Sequence, residues 1–226
     1  MSQQKDKTEL FETMAIPKAV STMCIPTVLS CLVMALYSMA DTLFVGLLND
    51  SIQTSAVTLA APVILSFNAI NNLFGIGTSS LLSRSLGIKD YETARRVSTF
   101  GIYAAFICAS ILSICFAVFK NPLLTLLGVD NATREATANY YFWVAICGAI
   151  PAILNVVIGF LVRAEGSAKH ASIGMISGCV LNIILDPIFI LPRFIGMGAA
   201  GAGLATFISN LVAVGYFLVY LRTHKD

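Results

Sequence analysis

Long runs of uncharged, mostly apolar residues alternate along the chain with short polar segments. Each of the six runs is long enough for a membrane-spanning helix, once a single aspartate is allowed in two of them. A helix needs about 20 apolar residues to cross the hydrocarbon core, whereas the strands of an outer-membrane barrel would show strict alternation over about ten residues. The predicted membrane spans cover residues 16–48, 54–84, 95–119, 137–162, 170–191 and 197–221.

The composition excludes several classes of protein. Of the 226 residues, 57% are hydrophobic and 12% are charged, and the net charge is +2. Soluble domains carry about 25% charged residues, so a soluble enzyme is excluded, and the small net charge argues against a nucleic-acid partner. The glycine-rich residues 196–203 follow no strand and precede no Walker lysine, so they predict close helix packing and not a nucleotide site. We expect an all-α integral membrane protein that contacts lipid, is not an enzyme and binds no organic cofactor.

Lysine and arginine residues predict how the chain is oriented. If residues 1–15 form a cytoplasmic N-terminal segment, eleven basic residues face the cytoplasm, and only Lys120, Arg134 and Arg193 lie outside. Cytoplasmic loops are enriched in lysine and arginine. The sequence therefore predicts one six-helix lobe over residues 16–221 and a cytoplasmic tail at 222–226. Both termini would be cytoplasmic, in a multi-pass protein of the plasma (inner) membrane.

Two acidic residues lie inside predicted spans, Asp41 in the first and Asp186 in the fifth. Both spans run outward, and both acids are a few residues from the outer end, so they share one depth. A charge near the middle of a bilayer costs about 2.5–3.5 kcal/mol on insertion scales, and such residues usually face an interior cavity. The pair predicts a proton or cation site. Two alternatives stay open: Asp186 and Pro187 could restart a helix as N-cap and first residue, and Asp41 could be solvated near the interface.

Polar neighbours on the same helix faces extend this predicted site. Pro187 removes a helix hydrogen bond and frees the carbonyl of Ile183, as in the broken helices that bind ions in transporters. Carboxylate, amide and hydroxyl oxygens could hold Na⁺, for which the predicted ligands are Asp41, Asp186, Asn182 and Thr206. The whole predicted proton or Na⁺ site comprises Asp41, Asp186, Asn182, Asn155, Thr206 and Tyr37.

Two groups of these polar residues have equally simple structural explanations. Asn155 and Thr206 are as well explained by ordinary hydrogen bonds between helices. Asn68, Asn71 and Asn72 lie within about one turn of the second span, and we interpret them as cavity-lining or helix-packing groups and not as ion ligands.

Four segments of the sequence resemble the multidrug and toxic compound extrusion (MATE) family. They are Ala-Asp-Thr-Leu-Phe-Val-Gly at 40–46, Arg-Ala-Glu-Gly at 163–166, Val-Leu-Asn-Ile-Ile-Leu-Asp-Pro-Ile-Phe-Ile at 180–190 and Gly-Ala-Ala-Gly-Ala-Gly-Leu-Ala-Thr at 198–206. The aspartate-proline pair in this context is the most specific of them. The resemblance runs over residues 16–221 and is closest to the bacterial and archaeal branches.

The resemblance implies an antiporter that expels cationic, lipophilic drugs in exchange for H⁺ or Na⁺. Asp41 and Asp186 would be the coupling acids, with Asn155, Asn182, Thr206 and Tyr37 as their partners. Members of the family have twelve helices in two six-helix lobes, so we expect this chain to be the N-terminal lobe, cut short before a second one. Its partner would be the missing C-terminal lobe or a second copy, since the two lobes of such transporters are related by an axis along the membrane normal.

Two other functions remain possible interpretations of six spans. One is a half-size transporter or a flippase for lipid-linked sugars, which would need several cations in its cavity to bind a pyrophosphate. The other is a non-transporting membrane scaffold, which would tolerate the loss of both acids.

Overall fold

The computed structural model describes residues 15–223, so the expectations for residues 1–14 and for the end of the tail, 224–226, lie outside the described residues. All regular secondary structure in the described part is helical. Five helices are long and apolar enough to cross a membrane, and a bent pair of helices makes a sixth span. The predicted fold class, an all-α membrane bundle of six helices, is confirmed.

The six spans follow one another through short connections, and a short helix, Lys120–Leu126, lies between the third and fourth. Span 2 runs from Ser51 to Gly87 in four helical segments, and span 4 consists of Arg134–Cys147 and Ala149–Ala164, bent by 47°. The other spans are single helices: span 1 is Ile16–Gly46, span 3 is Tyr91–Val118, span 5 is Ala168–Ile190 and span 6 is Ala199–Thr223.

Two spans contain π-helical turns that the sequence analysis does not predict. They are Asn71–Ile76 in span 2 and Phe142–Cys147 in span 4, and the second ends at the bend. A Cβ on Gly148 would lie 2.6 Å from the carbonyl oxygen of Val144, so only glycine fits there. Ser113 in span 3 donates to the Ile146 carbonyl at 2.6 Å. A carbonyl group in the irregular turn is therefore paired, as buried backbone groups must be.

Ordinary capping groups fix the ends of several spans. The Asp90 carboxylate accepts the Thr93 backbone N–H at 3.0 Å at the start of span 3. Hydrogen bonds from the Thr93 hydroxyl and backbone hold the pKa of this carboxyl below its usual value. Span 4 ends in a turn where Gly166, at φ +84°, donates its N–H to the Arg163 carbonyl at 3.0 Å. This turn needs a residue with a left-handed backbone conformation, which glycine adopts most easily.

Span 5 is central, packed against spans 1, 4 and 6. Its helix continues through Pro187 to Ile190, and Asp186 lies inside it. The alternative in which Asp186 caps a restarted helix is therefore wrong, since the helix does not break. A proline removes one hydrogen bond, and a transmembrane helix packed against its neighbours tolerates that loss. The glycine-rich start of span 6 allows the close approach that the sequence predicts, since a Cβ on Gly201 would lie 2.5 Å from the Phe189 carbonyl oxygen.

A glutamine from span 2 caps span 6. Gln53 Oε1 accepts the Ala199 N–H at 2.8 Å, next to Gly198 at φ +59°. The first N–H groups of a helix have no partner within the helix, so this bond ties the two spans together at the end where both begin.

We expect Gln53→Ala to lower the free energy of unfolding by about 0.5–2 kcal/mol, the usual cost of losing an N-terminal cap. Gln53→Glu is the matched control, because it keeps the acceptor oxygen and places a negative charge at the positive end of the helix. Thermal unfolding of the purified protein measures both. If Gln53→Glu lowered the free energy of unfolding as much as Gln53→Ala does, the hydrogen bond to the Ala199 N–H would contribute nothing.

Candidate ion-coupling site

Spans 1 and 5 run side by side and bring the two acids to one level. Ser172 in span 5 donates to the Pro26 carbonyl of span 1 at 2.7 Å, which fixes their register. Asp41 follows Pro26 by 15 residues, and Asp186 follows Ser172 by 14. At about 1.5 Å per residue, both acids lie about 21–23 Å along the helices from that bond. The two carboxylates are close enough to interact electrostatically.

Asp186 is fully buried and hydrogen-bonded within its own helix. The Asn182 amide is assigned with its nitrogen towards Asp186, because this orientation satisfies both of its ends. The amide nitrogen then donates to the two carboxylate oxygens at 2.8 and 3.2 Å, and the amide oxygen accepts the Thr206 backbone N–H at 3.0 Å. In this arrangement Asn182 joins span 5 to span 6 and orients the acid. To act as an Na⁺ ligand beside Asp186, its amide would have to turn over.

Asp41 is half-buried, and its carboxylate is less well satisfied. Its Oδ1 atom is buried and has no hydrogen-bond partner, which does not fit the alternative of a solvated interfacial residue. The Tyr37 hydroxyl, one turn earlier in span 1, interacts with the Thr206 side chain and lies within electrostatic range of both acids. Buried polar atoms almost always have a partner. An unpartnered carboxylate oxygen is therefore where a proton or a cation would bind.

Two residues that the sequence analysis does not single out belong to this cluster. Tyr140 of span 4 is buried, and its hydroxyl lies within electrostatic range of Asp41, Tyr37 and Asp186. Asn210 lies one turn after Thr206 and donates to its carbonyl at 2.9 Å. The helical spacing from Thr206 could have identified Asn210. Tyr140 offers no such signal, since a tyrosine near the end of a span is typical of the membrane interface.

Asn155 is linked to the cluster through span 6. Its amide nitrogen donates to Asn210 Oδ1 at 2.9 Å, so the interpretation as an interhelical hydrogen bond describes it correctly. The Asn155 Oδ1 atom is buried without a partner. Asn155, Asn210 and Thr206 thus form a polar path that leads away from the two acids into the lobe.

The three asparagines of span 2 lie apart from this cluster and do not share one environment. Asn71 is buried inside the lobe, and its Oδ1 atom has no partner. Asn68 and Asn72, one turn apart, are exposed. Those two side chains face away from the packing of this lobe.

The charge of the cluster is negative. Two carboxylates meet there, and neither forms an ion pair with another residue in the described range 15–223. The same range holds no group of three histidine, cysteine, aspartate or glutamate residues that could bind a metal ion. The atoms available as ligands are carboxylate and hydroxyl oxygens with nearby amides, which are the ligands of hard cations. This set suits a proton or a hard cation better than a transition metal, which would prefer softer or more numerous ligands.

Comparison with known proteins shows which family this arrangement represents. A profile of the MatE family matches residues 26–188, which include both acids. The multidrug export protein MepA of Staphylococcus aureus (strain MSSA476) is 34% identical over 216 residues, covering 96% of this chain and 47% of MepA.

Solved structures agree with that match. An outward-facing multidrug resistance MATE family transporter of the MOP superfamily superposes with a TM-score of 0.88 at 29% identity, over 97% of this chain and 48% of the other. An inward-facing MATE family transporter superposes with a TM-score of 0.77 at 30% identity, over 84% and 42%. The chain thus spans about half the length of the proteins it matches. It is a six-helix lobe of the kind these transporters contain, and it belongs to the MatE (multidrug and toxic compound extrusion) family.

Proposed function

We propose that this chain is the ion-coupling lobe of an antiporter that exports cationic, lipophilic drugs in exchange for H⁺ or Na⁺. The observation that carries the proposal is the buried, unpartnered Oδ1 of Asp41 beside the buried Asp186. The likeness to MepA, a multidrug export protein, supports drugs as the substrate class. Asp41, Asp186, Tyr37, Asn182, Thr206 and Asn155 are the proposed site, to which we add Tyr140 and Asn210.

The proposed coupling follows from the cost of two negative charges in one apolar site. Both carboxylates are surrounded by protein and, further out, by lipid, where an uncompensated charge is expensive. A proton shared by the pair, or Na⁺ bound between them, removes that cost. A cationic drug competes for the same negative charge, so binding of one weakens binding of the other by an equal factor. This exchange links export of the drug to entry of the ion.

Span 5 would transmit the exchange to the rest of the lobe. Pro187 directly follows Asp186 and leaves its helix one hydrogen bond short, and Asn182 connects the acid to span 6. Neutralising the pair would release the hold of Asp186 on the Asn182 amide. The Pro187 region could then bend, and span 1, which packs along span 5, would close on the drug. Relatives with this fold have been solved in an outward-facing and in an inward-facing conformation, which supports a lobe with two states.

Location and partners are part of the same proposal. The excess of basic residues at one end of the spans supports a plasma-membrane protein with both termini cytoplasmic. A second six-helix lobe, in the same polypeptide or as a second copy, would complete the cavity.

A flippase for lipid-linked sugars is less well supported. Its cavity would need cations for a pyrophosphate, whereas the acid cluster contacts no lysine or arginine of the described residues. Arg163 is half-buried, but it lies at the opposite end of span 4 from Tyr140, where its guanidinium contacts Met175 and Phe160.

Proton displacement tests the proposal directly. Adding the lipophilic cation tetraphenylphosphonium to the purified protein in weak buffer, without Na⁺, should release protons to an indicator dye. The release should disappear in Asp41→Asn and in Asp186→Asn, because each lacks one of the two charges that the proton and the drug share. A prior addition of Na⁺ should reduce the release if Na⁺ also binds the site, and leave it unchanged if coupling is to H⁺ alone.

The matched controls are Asp90→Asn and Asp130→Asn, which alter a partly exposed and an exposed acid outside the spans. Both should release protons like the unaltered protein. Proton release that persists without Asp41 and Asp186 would refute the proposed site.

A further inference from the structure

A groove of about 500 Å³ runs between spans 2 and 3 on the surface of the bundle. Its walls are apolar except at one end, where Arg96 lies. The apolar walls include Leu73, Phe74, Leu81, Val97 and Phe100.

Small residues create this groove. A Cβ on Gly77 would meet no atom within 4 Å, so the missing side chain leaves open space in the wall. Thr78 donates its hydroxyl to the Phe74 carbonyl of its own helix, which leaves little polar surface in the groove. Beneath it, Thr78 packs onto Gly101, where a Cβ would lie 2.8 Å from the threonine methyl group. The groove is therefore an apolar depression that is closed at its base by the contact between spans 2 and 3 and is open towards the membrane.

The groove has a defined depth along the helices. Span 2 ends at Gly87 and span 3 begins at Tyr91, so the turn between them marks one edge of the bundle. Arg96 is five residues into span 3, about 8 Å from that turn at 1.5 Å per residue. Phe74 is thirteen residues before the end of span 2, about 20 Å from the turn. The charged end thus lies at the level of lipid headgroups, and the apolar end lies among the acyl chains.

The charged end attracts anions. Arg96 lines the groove and is exposed, and Arg84 and Arg95 are exposed near the same ends of spans 2 and 3. Arg96 pairs with Glu92 through one amino group, and its side chain is 79% exposed. A guanidinium has five N–H donors, so several remain to bind a phosphate group, for which the planar fork of arginine is well suited. Because Glu92 is also exposed, its charge weakens but does not cancel this attraction.

We propose that the groove binds one anionic phospholipid, with its phosphate on Arg96 and one acyl chain along the apolar walls. Arg96 at headgroup depth matches the phosphate of such a lipid, and the apolar walls of the groove match an acyl chain. A lipophilic cation would meet the like charge of Arg96, so the groove does not suit the drugs of the proposed function. The inference does not depend on ion coupling, since no residue of the groove belongs to the acid cluster.

Quenching by brominated lipid tests this inference in nanodiscs. The chain has a single tryptophan, Trp143 in span 4, so Trp143→Phe combined with Phe100→Trp places one reporter in the groove. Brominated phosphatidylglycerol should quench this reporter at about fivefold lower mole fraction than brominated phosphatidylcholine, the preference expected from one arginine near the membrane surface. The control reporter, Ile107→Trp, lies two turns further along span 3 on an exposed position. It should be quenched equally by the two lipids.

Substitutions in the groove, made together with the tryptophan reporter, separate the effect of its charge from the effect of its shape. Arg96→Gln should remove the preference for phosphatidylglycerol, and Glu92→Gln should increase it, because the competing carboxylate is gone. Gly77→Phe should fill the groove and abolish the preference without changing any charge. Arg222→Gln, at the end of span 6, is the charge-matched control and should leave the preference unchanged.

Three results would overturn the inference. Equal quenching of the groove reporter by both lipids would mean ordinary membrane contact. A preference that survives Arg96→Gln would place the anion elsewhere. Protection of the reporter from both lipids would mean that a protein surface, such as a second copy of the chain, covers the groove.

Discussion

In cells, a transporter that joins this lobe to a second six-helix lobe should lose ion-driven drug export when the lobe carries the double variant Asp41→Asn, Asp186→Asn. Asparagine keeps the shape of each side chain and removes the charge that the ion and the drug share in the proposed mechanism. Coupling free energies between two ligands are typically about 1–3 kcal/mol, which corresponds to about a 5- to 150-fold effect of one ligand on the affinity for the other. Without that coupling, we expect ethidium efflux to fall to the rate seen without an ion gradient. Fluorescence of accumulated ethidium, followed after imposing a pH or Na⁺ gradient on cells that lack other efflux pumps, measures this rate.

The controls for this experiment separate loss of coupling from loss of folding. The amount of protein in the membrane should be unchanged, because removing a buried charge lowers the cost of insertion. Each single variant should also lose coupling, since the drug and the ion need the pair. Export at normal ion-dependent rates by the double variant would show that the proposed mechanism is wrong.

Gly201→Ala should destabilise the lobe although it adds only one methyl group. Its Cβ would lie 2.5 Å from the carbonyl oxygen and 2.6 Å from the carbonyl carbon of Phe189, and a backbone carbonyl in a packed helix has no room to move aside. Overpacking of this kind costs about 1–3 kcal/mol, which corresponds to about 2–12 °C in the unfolding temperature of a protein of this size. Thermal unfolding in detergent, monitored by size-exclusion chromatography, measures the shift.

Gly215→Ala in the same helix is the matched control. A Cβ at Gly215 would meet no atom within 4 Å, and alanine is a better helix former than glycine by about 1 kcal/mol. The control should therefore be neutral or slightly stabilising. Equal effects of the two substitutions would mean that helix propensity, and not the contact between spans 5 and 6, decides stability here. Because Phe189 is one turn from Asp186, the destabilised variant should also bind the coupling ion more weakly.

The number of spans and the level of the two acids follow from sequence because they depend on counting along regular helices. Apolar runs give the spans, and a rise of 1.5 Å per residue gives the depth of Asp41 and Asp186. Helical spacing also places Asn182 correctly beside Asp186. The structure adds that its amide nitrogen, and not its oxygen, faces the acid, which no spacing argument decides.

The remaining part of the site depends on how helices pack, which a single sequence does not encode locally. Tyr140 lies in the part of span 4 before the bend at Gly148, and this part packs against spans 3 and 6. The burial of the asparagines in span 2 also cannot be predicted by counting residues along a regular helix. A π-helical turn beginning at Asn71 changes the spacing, and Asn71 is buried while Asn72 is exposed.

The π-helical turn of span 4 would let members of this family differ in length by one residue within the span. Such a turn holds one residue more than an α-helix needs, so deleting a single residue within Phe142–Cys147 would restore regular helix without breaking the span. The helix on each side of the deletion would keep its rotation, so Tyr140 would stay beside the acids and Asn155 would keep its place. Relatives that differ by one residue here would therefore share the fold, the two acids and the tyrosine hydroxyl. They would differ in whether the carbonyl of Ile146 needs the hydroxyl of Ser113 as its partner.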